Sequence, residues 1–232
     1  MSNLAHENAF NQQFASLQAQ AKNVGIVLVI LSLLSIFAML HHPSVSAVDI
    51  QEQIAELQHE ASVNEFVHGV LIAITLLISV CLTVYAKLRS TYRPLIMVGM
   101  MSFWLGSLAM LVAALMSGFV VPDLGQMYSG KSSSELDVFK GLWGMSWQIN
   151  QAFAEFGTVS WCAAMFFWAF DMLKQSARIK VFGAISLVTS VVIAGSLAMG
   201  LVNLNVAGMT AILVAVCVWQ IGIAAILITK CY

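Results

Sequence analysis

Charge is what this chain has least of. Only 9% of its 232 residues are Asp, Glu, Lys or Arg, whereas 60% are hydrophobic; a soluble domain is normally about 25% charged. That shortage excludes an ordinary water-soluble core. No basic patch stands out either, with Lys and Arg numbering 10 against 11 acidic residues and a formal net charge of −1, so nucleic acid is excluded as a partner. Cysteine is scarce and badly placed for cross-linking. Cys81, Cys162 and Cys217 lie in apolar runs and Cys231 at the C-terminal end, so no external disulfide framework is expected. Proline is rarer still, at 3 residues, none inside an apolar run. The N-terminal stretch has no basic region, and no cleavage site follows the first apolar run, so that run reads as a retained span rather than a signal peptide.

Catalytic signatures are missing as well. There is no Walker A motif, dinucleotide fingerprint, GxSxG or HExxH. No CxxCH is present, which excludes covalent c-type haem. No nucleophile, base and oxyanion set can be assembled, so the sequence names no reaction.

What the chain does have is long apolar runs. Six occur, at about 23–40, 66–86, 94–121, 143–173, 181–201 and 207–229, each long enough to cross a bilayer as a helix, which takes roughly 20 residues. The expected fold is all-α: a polytopic membrane protein built as a bundle of six transmembrane helices. Residues 1–22 are expected to form a cytoplasmic or interfacial amphipathic segment with a stripe of Phe10, Phe14, Leu17 and Ala21, and residues 23–232 a single six-helix transmembrane domain. A second stripe, Ile50, Ile54, Leu57 and Ala61, predicts an amphipathic outer helix leading into the second span.

The few charges are sorted. Lys22, Lys87, Arg89, Arg93, Lys174, Arg178, Lys180 and Lys230 fall at one set of helix ends, with only Lys131 and Lys140 at the other. Basic residues mark the cytoplasmic side, so both termini are expected there and the acidic loops 41–65 and 122–142 outside. The polar stretch 129–135 reads as a mobile loop. No N-x-S/T sequon occurs, which fits a bacterial inner membrane. The expected partners are the lipid bilayer and other membrane subunits or further copies of the chain.

Polar groups inside spans need partners and mark function. In the fourth run Gln148, Gln151, Glu155, Thr158 and Cys162 fall within about 80° of helical arc. If the outer helix continues into the second span, Glu65 and His68 face inward at similar depth. Together Glu65, His68, Gln148, Gln151 and Glu155 would wall an outward-side polar chamber, with His41 or His42 at its mouth. Imidazole with carboxylate suits copper, zinc or iron, so His41, His42, His68, Glu65 and Glu155 are the candidate metal ligands, and Met39 and Met116 could add thioethers for Cu(I). A histidine pair from the first two spans is the alternative ligand set for b-type haem. The leading expectation is therefore a chamber that binds a metal ion, haem or a small polar ligand. The competing classes are an accessory or scaffold subunit of a larger membrane complex, and a proton- or cation-coupled transporter using Glu155 as carrier. Glu56 and His59 repeat the Glu-x-x-His spacing but read as solvated surface. Asp171 and Lys174 are expected to pair or to snorkel at the inner interface, and Gln220 to bond between helices.

Overall fold

The computed structural model describes residues 2–43, 47, 49–90 and 92–229, with side chains from residue 20 onward and at Ser16. The stripe Phe10, Phe14 and Leu17 lies outside the described side chains, although the backbone there is helical. Among the described residues the chain is all-helical, with α1 Ser2–Leu40, α2 Ile50–Leu88, α3 Pro94–Leu115, α4 Val121–Tyr128, α5 Ser133–Met172, α6 Ala177–Ala198 and α7 Val206–Thr229. A π-helical turn, Met116–Val120, joins α3 to α4. Six helices are long and apolar enough to cross a membrane. The protein is an integral, multi-pass membrane protein in the plain sense that these helices require a bilayer around them. Leu33, Phe37, Val188 and Val192, for example, are more than half exposed on the outside of the bundle.

Helix starts follow local chemistry. Asp49 caps α2, accepting from the amides of Gln51 and Glu52. Pro94 opens α3 at a position where its missing N–H costs nothing. The segment 129–135 is not one loose loop. Ser132 and Glu135 form a reciprocal capping box that starts α5 ten residues before the expected span. α2 runs unbroken through Ser62–Asn64. Both α2 and α5 are about 60 Å long at about 1.5 Å per residue, twice the hydrocarbon thickness, so their N-terminal halves project beyond the acidic end of the bundle. There, with α4, they build a small cap around buried Ile54, Leu57, Leu136 and Phe139.

The membrane part is a ring in which α1 packs on α2, α2 on α3, α3 on α5, α5 on α6, and α7 on α1, closed by a slender α6–α7 contact. Its centre is aromatic: Trp168 stacks on Trp219 with ring centres 5.7 Å apart, and Phe103 on Trp161 at 5.8 Å. α3 and α5 approach closely through Gly106 and Gly157, where a Cβ on Gly106 would lie 2.8 Å from the Gly157 carbonyl. Ser32 donates to Gln220 Oε1 at 3.0 Å, which gives Gln220 its partner between helices. At the basic end the buried carboxylate of Asp171 accepts from Arg89, also buried, and from Arg93 Nη1 at 2.9 Å. Lys174 is exposed instead, because the α2–α3 loop brings two guanidinium groups to the carboxylate.

Candidate functional site

Two adjoining cavities lie where the cap meets the bundle. The lower one, about 160 Å³, runs between the helices. The upper one, about 450 Å³, sits beneath the cap. They share His42, Ser117, Trp147, Asn150, Asn205 and Val206, which form a neck. The floor below is apolar, with Leu71, Ile72, Met110, Trp161, Met209 and Leu213 among its walls. From the basic end of α2, His68 lies about 30 Å up, at the far edge of a typical hydrocarbon core. The neck thus sits at the acidic-side boundary of the bilayer.

His68 is 4% exposed and held from three sides. Its Nδ1 lies 2.9 Å from the Asn64 carbonyl one turn earlier. Its Nε2 lies 3.2 Å from His42 Nε2. Its Cβ is covered by the π-turn, where a Cβ on Gly118 would come within 2.4 Å of it. The wider turn shifts backbone bonding, and Asn64 Nδ2 donates to the Ser117 carbonyl at 2.8 Å. Asn150 Nδ2 donates to Ser117 Oγ from α5. Single π-turns inside α-helices frequently mark functional sites, and this one sets the position of His68. His42 is fixed as well, its Nδ1 2.6 Å from the Pro43 carbonyl. Burial holds the His42 imidazole below its usual pKa range.

The expected site residues divide. His42, His68 and Gln151 line the lower cavity, and Gln151 donates to the Leu204 carbonyl at 3.2 Å. Glu65, Gln148 and Glu155 are exposed on the outside and line neither cavity. His41 turns away, its ring 4.3 Å from that of Phe37 and its Nδ1 2.9 Å from the Phe37 carbonyl. The five proposed metal ligands therefore do not converge, and among the described residues no group of three or more His, Cys, Asp or Glu side chains is placed to hold a metal. A haem between His42 and His68 does not fit either. Two imidazoles on opposite faces of one iron stand about 4 Å apart, nitrogen to nitrogen, and these are 3.2 Å apart. His59 is solvent-exposed, and Glu56 accepts the Ala47 amide.

Helical phase explains the division. On α5 the expected polar stripe is centred about 90° away from the direction in which Trp147, Asn150, Ala154 and Trp161 face the cavity. The stripe straddles the seam, so that Thr158 and Cys162 are buried while Gln148 and Glu155 look outward. On α2 Glu65 sits about 60° from the Ile50 direction and Asn64 about 40° on its other side. Asn64 turns to the π-turn and Glu65 to the exterior. The residues missed by sequence reading are Asn64, Ser117, Gly118, Asn150 and Asn205. Their polarity is ordinary in isolation, and no motif singles them out.

Comparison with known protein families, with curated proteins and with solved structures gives no match for this chain.

Proposed function

We propose that this protein is a membrane binding protein that holds one small amphipathic molecule at the outward side of the bilayer. The observation that carries the reading is the composition of the cavity, a neutral polar neck of His42, Ser117, Asn150 and Asn205, with Gln151 in the lower chamber, over a floor of apolar side chains. Small-molecule sites are concave, mostly apolar, and about 300–1,000 Å³, with a few polar groups that fix orientation. The two chambers together fall in that range. A hydrocarbon tail or ring lies on the floor, and a carbonyl or hydroxyl head accepts from Asn150 and Gln151. Lys and Arg are missing from the described walls, so nothing there attracts an anionic head. The neck's position at the bilayer boundary suits capture from the membrane itself. Glu155, outside both cavities, gives no support to a carrier role in transport.

The test uses the full-length protein in nanodiscs and a bromine-labelled fatty alcohol, which quenches tryptophan on contact. Trp147 and Trp161 line the lower cavity. Saturable quenching is expected, weakened at least about tenfold by Ala114→Phe, which fills the floor, because overpacking a formed site removes the volume the ligand needs. Glu155→Gln should quench like the parent. Quenching that rises without saturation, or that ignores Ala114→Phe, overturns the reading.

A further inference from the structure

The contact between His42 and His68 is one positive charge short. Three polar contacts run in a line through the two rings: Pro43 carbonyl to His42 Nδ1 at 2.6 Å, Nε2 to Nε2 at 3.2 Å, and His68 Nδ1 to the Asn64 carbonyl at 2.9 Å. Carbonyls only accept, and a neutral imidazole carries one N–H. Two neutral rings therefore supply two hydrogens to three contacts. If both carbonyls are satisfied, two bare nitrogen lone pairs face each other. If a hydrogen is placed between the rings, one carbonyl faces a bare nitrogen. A cation between the two Nε2 atoms satisfies all three contacts.

We propose that His42 and His68 form a site for Cu(I), with the thioether of Met39 as third ligand. Both rings already have the outer support that ligating histidines use, Nδ1–H donated to a backbone carbonyl, which fixes the tautomer and presents Nε2 to the metal. At metal–nitrogen distances of about 2.0–2.1 Å two imidazole nitrogens stand roughly 3.5–3.6 Å apart on a three-coordinate ion and roughly 3.3–3.4 Å on a tetrahedral one, within a few tenths of an ångström of the 3.2 Å observed. Met39 is buried, lies one helical turn before His42 and lines the same cavity. Imidazole with thioether is the soft donor set that selects Cu(I). Charge points the same way. Ser117, Asn150 and Asn205 of the neck and Gln151 below it are neutral, and the described walls of the two chambers carry one carboxylate, Glu60; Glu52 and Glu56 stand with it in an outer pocket that His42 also borders. Among the neutral groups a divalent ion would leave one more charge unbalanced than a singly charged ion. Of the pair, His42 also lines the upper chamber, on the side of the acidic end of the molecule. His42 stands in the neck, with Met39 and His68 in the wall of the lower cavity, and copper uptake is tested separately from what fills the floor.

The experiment presents Cu(I) as its bicinchoninate chelate to full-length protein in nanodiscs under reducing conditions. One Cu(I) per chain should leave the coloured chelate. His42→Ala and His68→Ala should each weaken uptake by at least about 100-fold and Met39→Leu by about tenfold, the upper and lower ends of what lost metal-site support typically costs. His68→Cys, which keeps a soft donor, should retain uptake and guards against a variant that merely misfolds. Zn(II) should not compete. Ala114→Phe should still take up Cu(I) although it blocks the amphiphile, so the two proposals fail separately. Wild-type protein that leaves the chelate intact, or His68→Ala that binds like wild type, overturns the assignment. So does a ¹⁵N-histidine spectrum unchanged by Cu(I).

Discussion

At the scale of single residues the site depends on a glycine that sequence reading passes over. Gly118 is buried against His68, and a methyl there would overlap His68 Cβ at 2.4 Å and Cγ at 2.6 Å. Neither atom is the far end of a flexible side chain, so either His68 turns or α2 and the π-turn separate. Gly118→Ala should therefore destabilise the protein by about 1–3 kcal/mol, the range for overpacking a tight core, and should abolish ligand capture even where the fold survives. Gly141 and Gly144 on α5 meet nothing within 4 Å, so Gly141→Ala and Gly144→Ala are the matched controls and should melt like the parent or slightly higher. Thermal unfolding with and without the brominated alcohol checks this. Equal melting of all three variants would show that His68 has more room than its surroundings indicate.

At the scale of elements the long helices were the most legible part of the sequence. Six apolar runs predicted six crossing helices, because hydrophobic length is a property of composition and survives errors of phase. The stripe Ile50, Ile54, Leu57 also carried the outer helix into α2, since Ile54 and Leu57 are buried where it placed them. What sequence could not give was rotation. A face about 80° wide on α5 was identified as polar, yet Glu155 and Gln148 lie on its outer edge, and only packing against α3 and α6 decides which edge is inside. The π-turn was equally hidden, because Met-Ser-Gly-Phe-Val has no signature apart from its glycine. Pairing between loops was hidden for a related reason. Asp171 and Lys174 are neighbours in sequence, but the carboxylate meets Arg89 and Arg93, 82 and 78 residues away in the chain. This cluster ties the α2–α3 connection to the start of the α5–α6 connection. Arg89 and Asp171 are each 6% exposed at the side chain, and Arg93 is 55% exposed. Asp171→Ala strands a buried guanidinium and should cost about 3–5 kcal/mol, whereas Arg93→Ala should cost at most about 1 kcal/mol. Denaturant unfolding in mixed micelles distinguishes them, and equal losses would mean that Asp171 is held mainly by its exposed partner.

At the scale of the whole molecule, cap and charge together give an orientation. The cap built from α2, α4 and α5 stands at the end bearing Glu52, Glu60, Asp123, Glu135 and Asp137, and the opposite end carries Lys87, Arg89, Arg93, Lys174, Arg178 and Lys180. Short basic connections are retained on the cytoplasmic side during insertion, so the cap and the mouth of the upper chamber should face outward. The cysteines favour a clean test: Cys81, Cys162 and Cys217 are free but buried, and Cys231 can be replaced by serine. On that background Ser134→Cys lies in the exposed first turn of α5 and Ser176→Cys in the exposed connection before α6. A membrane-impermeant maleimide added to intact cells with a permeable outer envelope should label Ser134→Cys, and should reach Ser176→Cys only after the inner membrane is opened. The reverse pattern would turn the chamber toward the cytoplasm. The source of any captured amphiphile would then be the inner leaflet, and copper would have to reach His42 and His68 from the cytosolic pool. Orientation therefore decides which compartment the cavity samples, and the labelling pattern measures it without reference to any ligand.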